Sequence, residues 1–264
     1  MTTLIDLYHK RCDQNGKPLY WLPDAKTKSE FALYQDEDQT IPPDWGVGET
    51  ISRSLAINQH LEIDGAGYFV GLALKQGKIP NHPDIIKLLK TNITDETYHQ
   101  RGVEQLIDLY PVTTEDDQEA RSIAQAWQDT ANTHHPLQPV ACLEIGAFMV
   151  NLAFWRVFGG ATIAIAADQI AQDENRHATT NRSLLTYLGE SITTPKLESL
   201  TKQTVEWIFE PLQIPPETTP NFVWTSDNLI DASIQLLVEG EAQSLNNVSV
   251  YGDWFAHFES DRGY

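Results

Sequence analysis

Cysteine is nearly absent, with only Cys12 and Cys142 in 264 residues and no C-x-x-C spacing. A disulfide framework and a zinc-thiolate site are thereby excluded, and a reducing, cytoplasmic compartment is expected. Basic residues are scarce as well: 18 Lys plus Arg stand against 37 Asp plus Glu, a formal net charge of −19. Such a field repels phosphate backbones and anionic lipid, so neither nucleic acid nor a membrane surface is an expected partner. Residues 1–17 lack the continuous apolar stretch of a signal peptide, so no export is expected. An uninterrupted membrane span is also missing. Residues 140–167 come closest, but Glu144, Asn151, Arg156 and the Gly159-Gly160 pair break the run, which reads instead as parts of two buried helices. Strand alternation is nearly absent, and no internal repeat shows a fixed period. What is present is 41% hydrophobic residues, enough for a sizeable core.

The apolar periodicity predicts a single all-α domain over residues 1–264. The first 48 residues carry turn signals such as Asn15-Gly16 and Pro42-Pro43 and read as an irregular arm. Ile51, Leu55, Glu62, Ala66, Phe69 and Ala73 recur at helical spacings, which predicts a helix over 49–76 stopped by Gly77 and Pro80. A second is expected from Pro83 to about Tyr110. A shorter one, capped by Thr114, runs to about Ala131. Two apolar helices follow over 139–158 and 161–188, broken at Gly159-Gly160, and C-terminal helices over 195–209 and 226–254 complete residues 195–264.

Within this frame Glu144 is conspicuous, because it lies among Ala141, Cys142, Leu143, Ile145, Ala147, Phe148 and Met149. An unpaired carboxylate there costs several kcal/mol or stays protonated, so a cationic partner is expected. Residues three apart share a helix face, and Glu96-Thr97-Tyr98-His99 and Glu174-Asn175-Arg176-His177 each present a carboxylate and an imidazole together. Glu62 precedes the first pair, Glu144 precedes the second, and the four positions fall on four predicted helices within residues 49–190. One Glu from each of two helices plus Glu-x-x-His from each of the other two is the ligand set of ferritin-like dimetal carboxylate bundles. Four carboxylates and two imidazoles balance two divalent metals, which supplies the cation for Glu144. The candidate ligands are therefore Glu62, Glu96, His99, Glu144, Glu174 and His177. Asp64 remains an alternative to Glu62 on the first helix. The other histidines, His9, His60, His82, His134, His135 and His257, lack a matched partner pattern and are expected on the surface, in loops or satisfied in the core.

At these residues the chain resembles the small subunit of class I ribonucleotide reductase. The stretch from Glu144 through Phe148 and Leu152 to Trp155 is similar to that family's helix bearing a metal glutamate and pocket residues. Ile170-Ala-Gln-Asp173-Glu174-Asn-Arg-His177 is similar to its I-x-x-D-E-x-x-H helix, and Tyr20-Trp21-Leu22-Pro23 to its tryptophan-containing arm. The resemblance covers roughly residues 20–190. It implies a ferritin-like bundle, a cofactor of two iron ions or one manganese and one iron, O2 as a partner, a homodimer, and a high-valent oxidant used for one-electron or hydrogen-atom abstraction. It also implies an electron route through Trp21, Asp173 and His99. The family's radical tyrosine lies four residues after the first-pair histidine, where this chain has Val103, while Phe148, Leu152 and Ile170 match the apolar pocket around it. Two settings fit a valine: a subunit serving a ribonucleotide reductase large subunit without that radical, or a free-standing di-iron oxidase or oxygenase acting on a small or long-chain organic substrate. Iron storage of the ferritin kind ranks last.

Overall fold

Proline, threonine and glycine place the helix boundaries in a computed structural model that describes residues 4–5, 8–9, 12–20, 41–218 and 222–239. Among the described residues no strand occurs beyond one isolated bridge between Cys12 and Pro18, so the protein is all-α. A 3-10 turn at Pro43–Trp45 leads into α1 (Val47–Leu61), a π-helical segment π1 (Glu62–Gly67) and α2 (Tyr68–Lys75), which run on without a break. Helix α3 (Pro83–Leu109) opens on proline, where a missing N–H costs nothing, and His82 Nδ1 accepts the Asp84 amide. Helix α4 (Thr114–Gln128) is capped by Thr113, whose Oγ1 accepts the Asp116 amide at 3.0 Å. The expected cap, Thr114, is instead the first helical residue, because Thr113 holds the extended backbone a cap requires.

The second apolar rod consists of α5 (Leu137–Cys142), π2 (Leu143–Phe148) and α6 (Met149–Phe158), and α7 (Gly160–Leu188) follows at once. A Cβ on Gly159 would lie 2.5 Å from the Trp155 carbonyl, and Gly160 has φ 69°, so this reversal needs both glycines. Helices α8 (Pro195–Phe209) and α9 (Ser226–Glu239) complete the described chain. The expected continuation of the last helix to 254 lies outside the described residues. The arm differs from its reading as irregular in one respect: residues 4–5 and 8–9 are helical, with Leu4 and Tyr8 buried.

Packing sets the site. Helix α3 lies along α1, π1 and α2, while α7 lies along α5, π2 and α6; α3 also meets α7, α5 meets α2 and π1, and α6 meets α1. Each of the four long helical rods therefore contacts two others. The rod Leu137–Phe158 is the one described helix long and apolar enough to cross a membrane, yet 89% of its most apolar window is buried, so it serves as a core helix. Buried apolar residues from Leu4 to Leu237 form a continuous cluster, with Trp127, Trp155 and Trp224 among its largest members.

Candidate metal centre

All six candidate ligands are fully buried, at 0% relative exposure, and they converge. His99 Nδ1 lies 3.0 Å from Glu174 Oε1, 3.3 Å from Glu96 Oε2 and 3.4 Å from Glu62 Oε2. His177 Nδ1 lies 3.0 Å from Glu96 Oε1, 3.7 Å from Glu144 Oε1 and 3.8 Å from Glu174 Oε1. The ligand atoms fall into two groups, Glu62 with Glu96, His99 and Glu174, and Glu144 with Glu96, Glu174 and His177, each within 4.8 Å. Glu96 and Glu174 belong to both groups, so two adjacent cations held there would share these two carboxylates.

The two lone glutamates are the ones in π-helical backbone: Glu62 opens π1 and Glu144 is the second residue of π2. A π turn holds an extra residue and re-aims the side chains that follow, and such segments gather at functional sites. Neither π segment is visible in the residue pattern. Of the two first-helix candidates, Glu62 lies buried in the cluster while Asp64 is exposed.

A second layer orients the imidazoles. His99 Nε2 lies 3.2 Å from Asp173 Oδ2, and His177 Nε2 lies 3.0 Å from Asp95 Oδ2. With Nδ1 turned to the carboxylates, Nε2 carries the proton and donates it outward, which fixes each ring. The pairs are crossed: Asp95, beside Glu96 on α3, holds the histidine of α7, and Asp173, beside Glu174 on α7, holds the histidine of α3. Asp95 was missed in the sequence reading, although the signal was present, because Asp-Glu-x-x-His occurs twice. The other oxygen of Asp173 pairs with Arg176. Asn181 Nδ2, also unforeseen, donates to Glu144 Oε2 at 2.7 Å.

Charge is the unresolved quantity in this cluster. Seven carboxylate oxygens of Glu62, Glu96, Glu144 and Glu174, together with Nδ1 of both histidines, make no hydrogen bond of acceptable geometry. Among the described residues no Lys or Arg pairs with these four glutamates. Burial, reinforced by neighbouring carboxylates, pushes Glu62 and Glu144 well above the ordinary carboxylate range, and burial raises Glu174 too. Burial also opposes ionisation of Glu96, but the imidazoles of His177 and His99 outweigh it and hold Glu96 far down. For His177 burial acts downward, yet Glu96 and Asp95 win and lift it to about 10; His99 is raised in the same way by Glu174, Glu62 and Glu96. These shifts all favour protons within the cluster except at Glu96, whose negative charge the two imidazoles favour. Buried acceptors without donors cost about 1–3 kcal/mol each, more when charged, and two divalent cations would satisfy the whole set. The residues fit a dinuclear metal group.

The remaining expected site residues lie as follows. Val103, Phe148, Leu152 and Ile170 are all buried at 2% exposure or less within the main core cluster. Trp21 lies outside the described residues, while its neighbour Tyr20 packs its ring 5.6 Å from that of Tyr98. His60 pairs with Asp117, His134 with Thr194 and His135 with the Lys78 carbonyl, and none of the three joins the cluster; His9 is exposed. His257 lies outside the described residues. No protein-family model matches the chain, and no characterised protein sequence matches it.

Proposed function

We propose that the protein is an O2-activating dinuclear metal oxidoreductase on a ferritin-like helical bundle, similar to the small subunit of ribonucleotide reductase. The observation that carries this reading is the pair of buried acid-and-histidine groups sharing Glu96 and Glu174, to which no Lys or Arg pairs among the described residues. Oxygen-rich ligation with one imidazole per metal suits iron and manganese better than zinc or copper, whose sites favour more nitrogen or sulfur. Two iron ions, or one manganese and one iron, would supply two of the four electrons for reduction of O2 to water, with a third from an external one-electron donor and the fourth taken from the group that is oxidised by electron or hydrogen-atom abstraction.

The chain's own residues do the rest. Glu62 and Glu144 would each serve one metal, Glu96 and Glu174 would be shared between the two, and His99 and His177 would complete the ligand sets. Asp173 and Asp95 keep the imidazoles in the donating tautomer and in register. Phe148, Leu152, Ile170 and Val103 contribute to an apolar surround that excludes water. Asp173, joined to both His99 and Arg176, offers a hydrogen-bonded link from the cluster toward the half-exposed Arg176 and hence a path for electrons.

Val103 supports a second reading, a free-standing oxidase or oxygenase. The place where the resembling family carries a phenol holds a side chain smaller by most of an aromatic ring, which would leave room for a small organic group beside the core. Anaerobic reconstitution with Fe(II), followed by O2 uptake and optical and EPR spectra, tests the main reading. Rapid O2 consumption with new visible absorption is expected; metal-loaded protein inert to O2 would refute it.

A further inference from the structure

The two metal positions are built from matched halves with one mismatch. Helix α3 reads Asp95-Glu96-x-x-His99-x-x-x-Val103, and α7 reads Asp173-Glu174-x-x-His177-x-x-x-Asn181. Each half supplies a bridging glutamate, a histidine and the aspartate that holds the other half's histidine. One turn further on, the halves differ. Asn181 is fully buried and donates Nδ2 to Glu144 Oε2 at 2.7 Å, leaving only Oε1 of that glutamate free. Val103, equally buried, has no donor to offer, and among the described residues both oxygens of Glu62 lack a hydrogen bond.

We propose that Asn181 is a positioning residue that makes the two metal positions inequivalent, fixing Glu144 as a preorganised one-oxygen ligand on the His177 side while Glu62 stays adjustable on the His99 side. This rests on the dimetal reading above. The physical reason is preorganisation. A carboxylate already held at 2.7 Å loses little freedom when a cation arrives, and outer partners of this kind typically contribute 10- to 100-fold to metal affinity. The tethered side should fill first. The untethered side, whose glutamate can present one oxygen or two, should bind more weakly and tolerate changes in coordination.

The test is an anaerobic Mn(II) titration of the apo-protein, with unbound Mn(II) read from its six-line EPR signal. The wild-type protein should show two classes of site, one equivalent each, differing by roughly 10-fold or more. In Asn181→Val, which makes the α7 sequence match α3 at this turn, the tight class should weaken by roughly 10- to 100-fold and the weak class by less than about threefold. Asn181→Leu, which keeps the branch point of asparagine at Cγ, serves as the second variant, and circular dichroism of both establishes that they fold. A residue with a merely structural role would weaken both classes together, so an unchanged gap between classes in the folded variants overturns the proposal. So do two equal classes in the wild-type protein. Binding of no Mn(II) at all by the folded wild-type protein would overturn the dimetal reading itself, an outcome distinct from either.

Discussion

Replacing Asp95 with alanine separates a metal-site role for this carboxylate from simple packing between α3 and α7. The contact to His177 Nε2 is 3.0 Å and both side chains are buried at 1% exposure or less. A hydrogen bond to a charged acceptor contributes about 1.5–3 kcal/mol, and about 1.4 kcal/mol is a factor of ten in an equilibrium constant. Alanine removes the acceptor and leaves the imidazole N–H orphaned, so binding on the His177 side should weaken by roughly 10- to 100-fold. Asp95→Asn keeps a neutral acceptor and should lose less, about three- to tenfold. Because the pairs are crossed, Asp173→Ala should act on the other histidine, His99, whose Nε2 lies 3.2 Å away. The assay is calorimetric titration of each folded apo-variant with Mn(II). A folded Asp95→Ala protein that binds both equivalents with unchanged affinity would refute the reasoning.

Loading the site should release protons, since His177 holds its proton up to about 10 and His99 is raised as well; two protons per chain from the imidazoles alone are expected near pH 7, measurable as a dependence of binding enthalpy on buffer ionisation. For the apo-protein the sign follows from the raised His177 value: the stabilisation is complete below the unfolded pKa of about 6.5 and is lost as pH rises toward 10. The raised carboxylates Glu62 and Glu144 act in the same direction, so the unfolding midpoint should fall across that window in the apo-protein and hold in the metal-loaded one. No tyrosyl radical should arise at Val103; any protein radical after O2 exposure should vanish on replacing Tyr98 or Trp155, the latter fully buried with its Nε1 on Ser54 Oγ, and a long-lived tyrosyl EPR signal surviving both replacements would contradict this. Enlarging Val103 to Phe should abolish substrate turnover in an oxygenase while sparing metal content and O2 uptake, and unchanged product formation would remove this position from the mechanism.

The buried cluster was legible in the sequence because its spacing is helical: Glu-x-x-His places both groups on one face, and Glu62 and Glu144 lie on apolar stripes that must turn inward. Asp173 was legible only through the family resemblance. Asp95 carries a local signature, the second Asp-Glu-x-x-His, but its partner His177 lies on another helix, so its role is legible only once α3 and α7 pack against each other. The π segments escaped for a different reason. In the fold π1 packs against α3 and π2 against α7, α8 and α9, and a single extra residue per turn is passed over by periodicity read at 3.6 residues per turn. The cap at Thr113 shows the same limit on a smaller scale, because two adjacent threonines offer equal chemistry and only the backbone distinguishes them.

Metal content bears most directly on the central claim. After anaerobic reconstitution with Fe(II) and removal of loosely bound ions, elemental analysis should find two metals per chain. Glu144→Ala should drop that number by about one, because it strips the terminal ligand from one group and leaves the carboxylates shared by both. Folded wild-type protein holding less than about half an equivalent would contradict the account, since the buried glutamates would then be neutralised by protons alone.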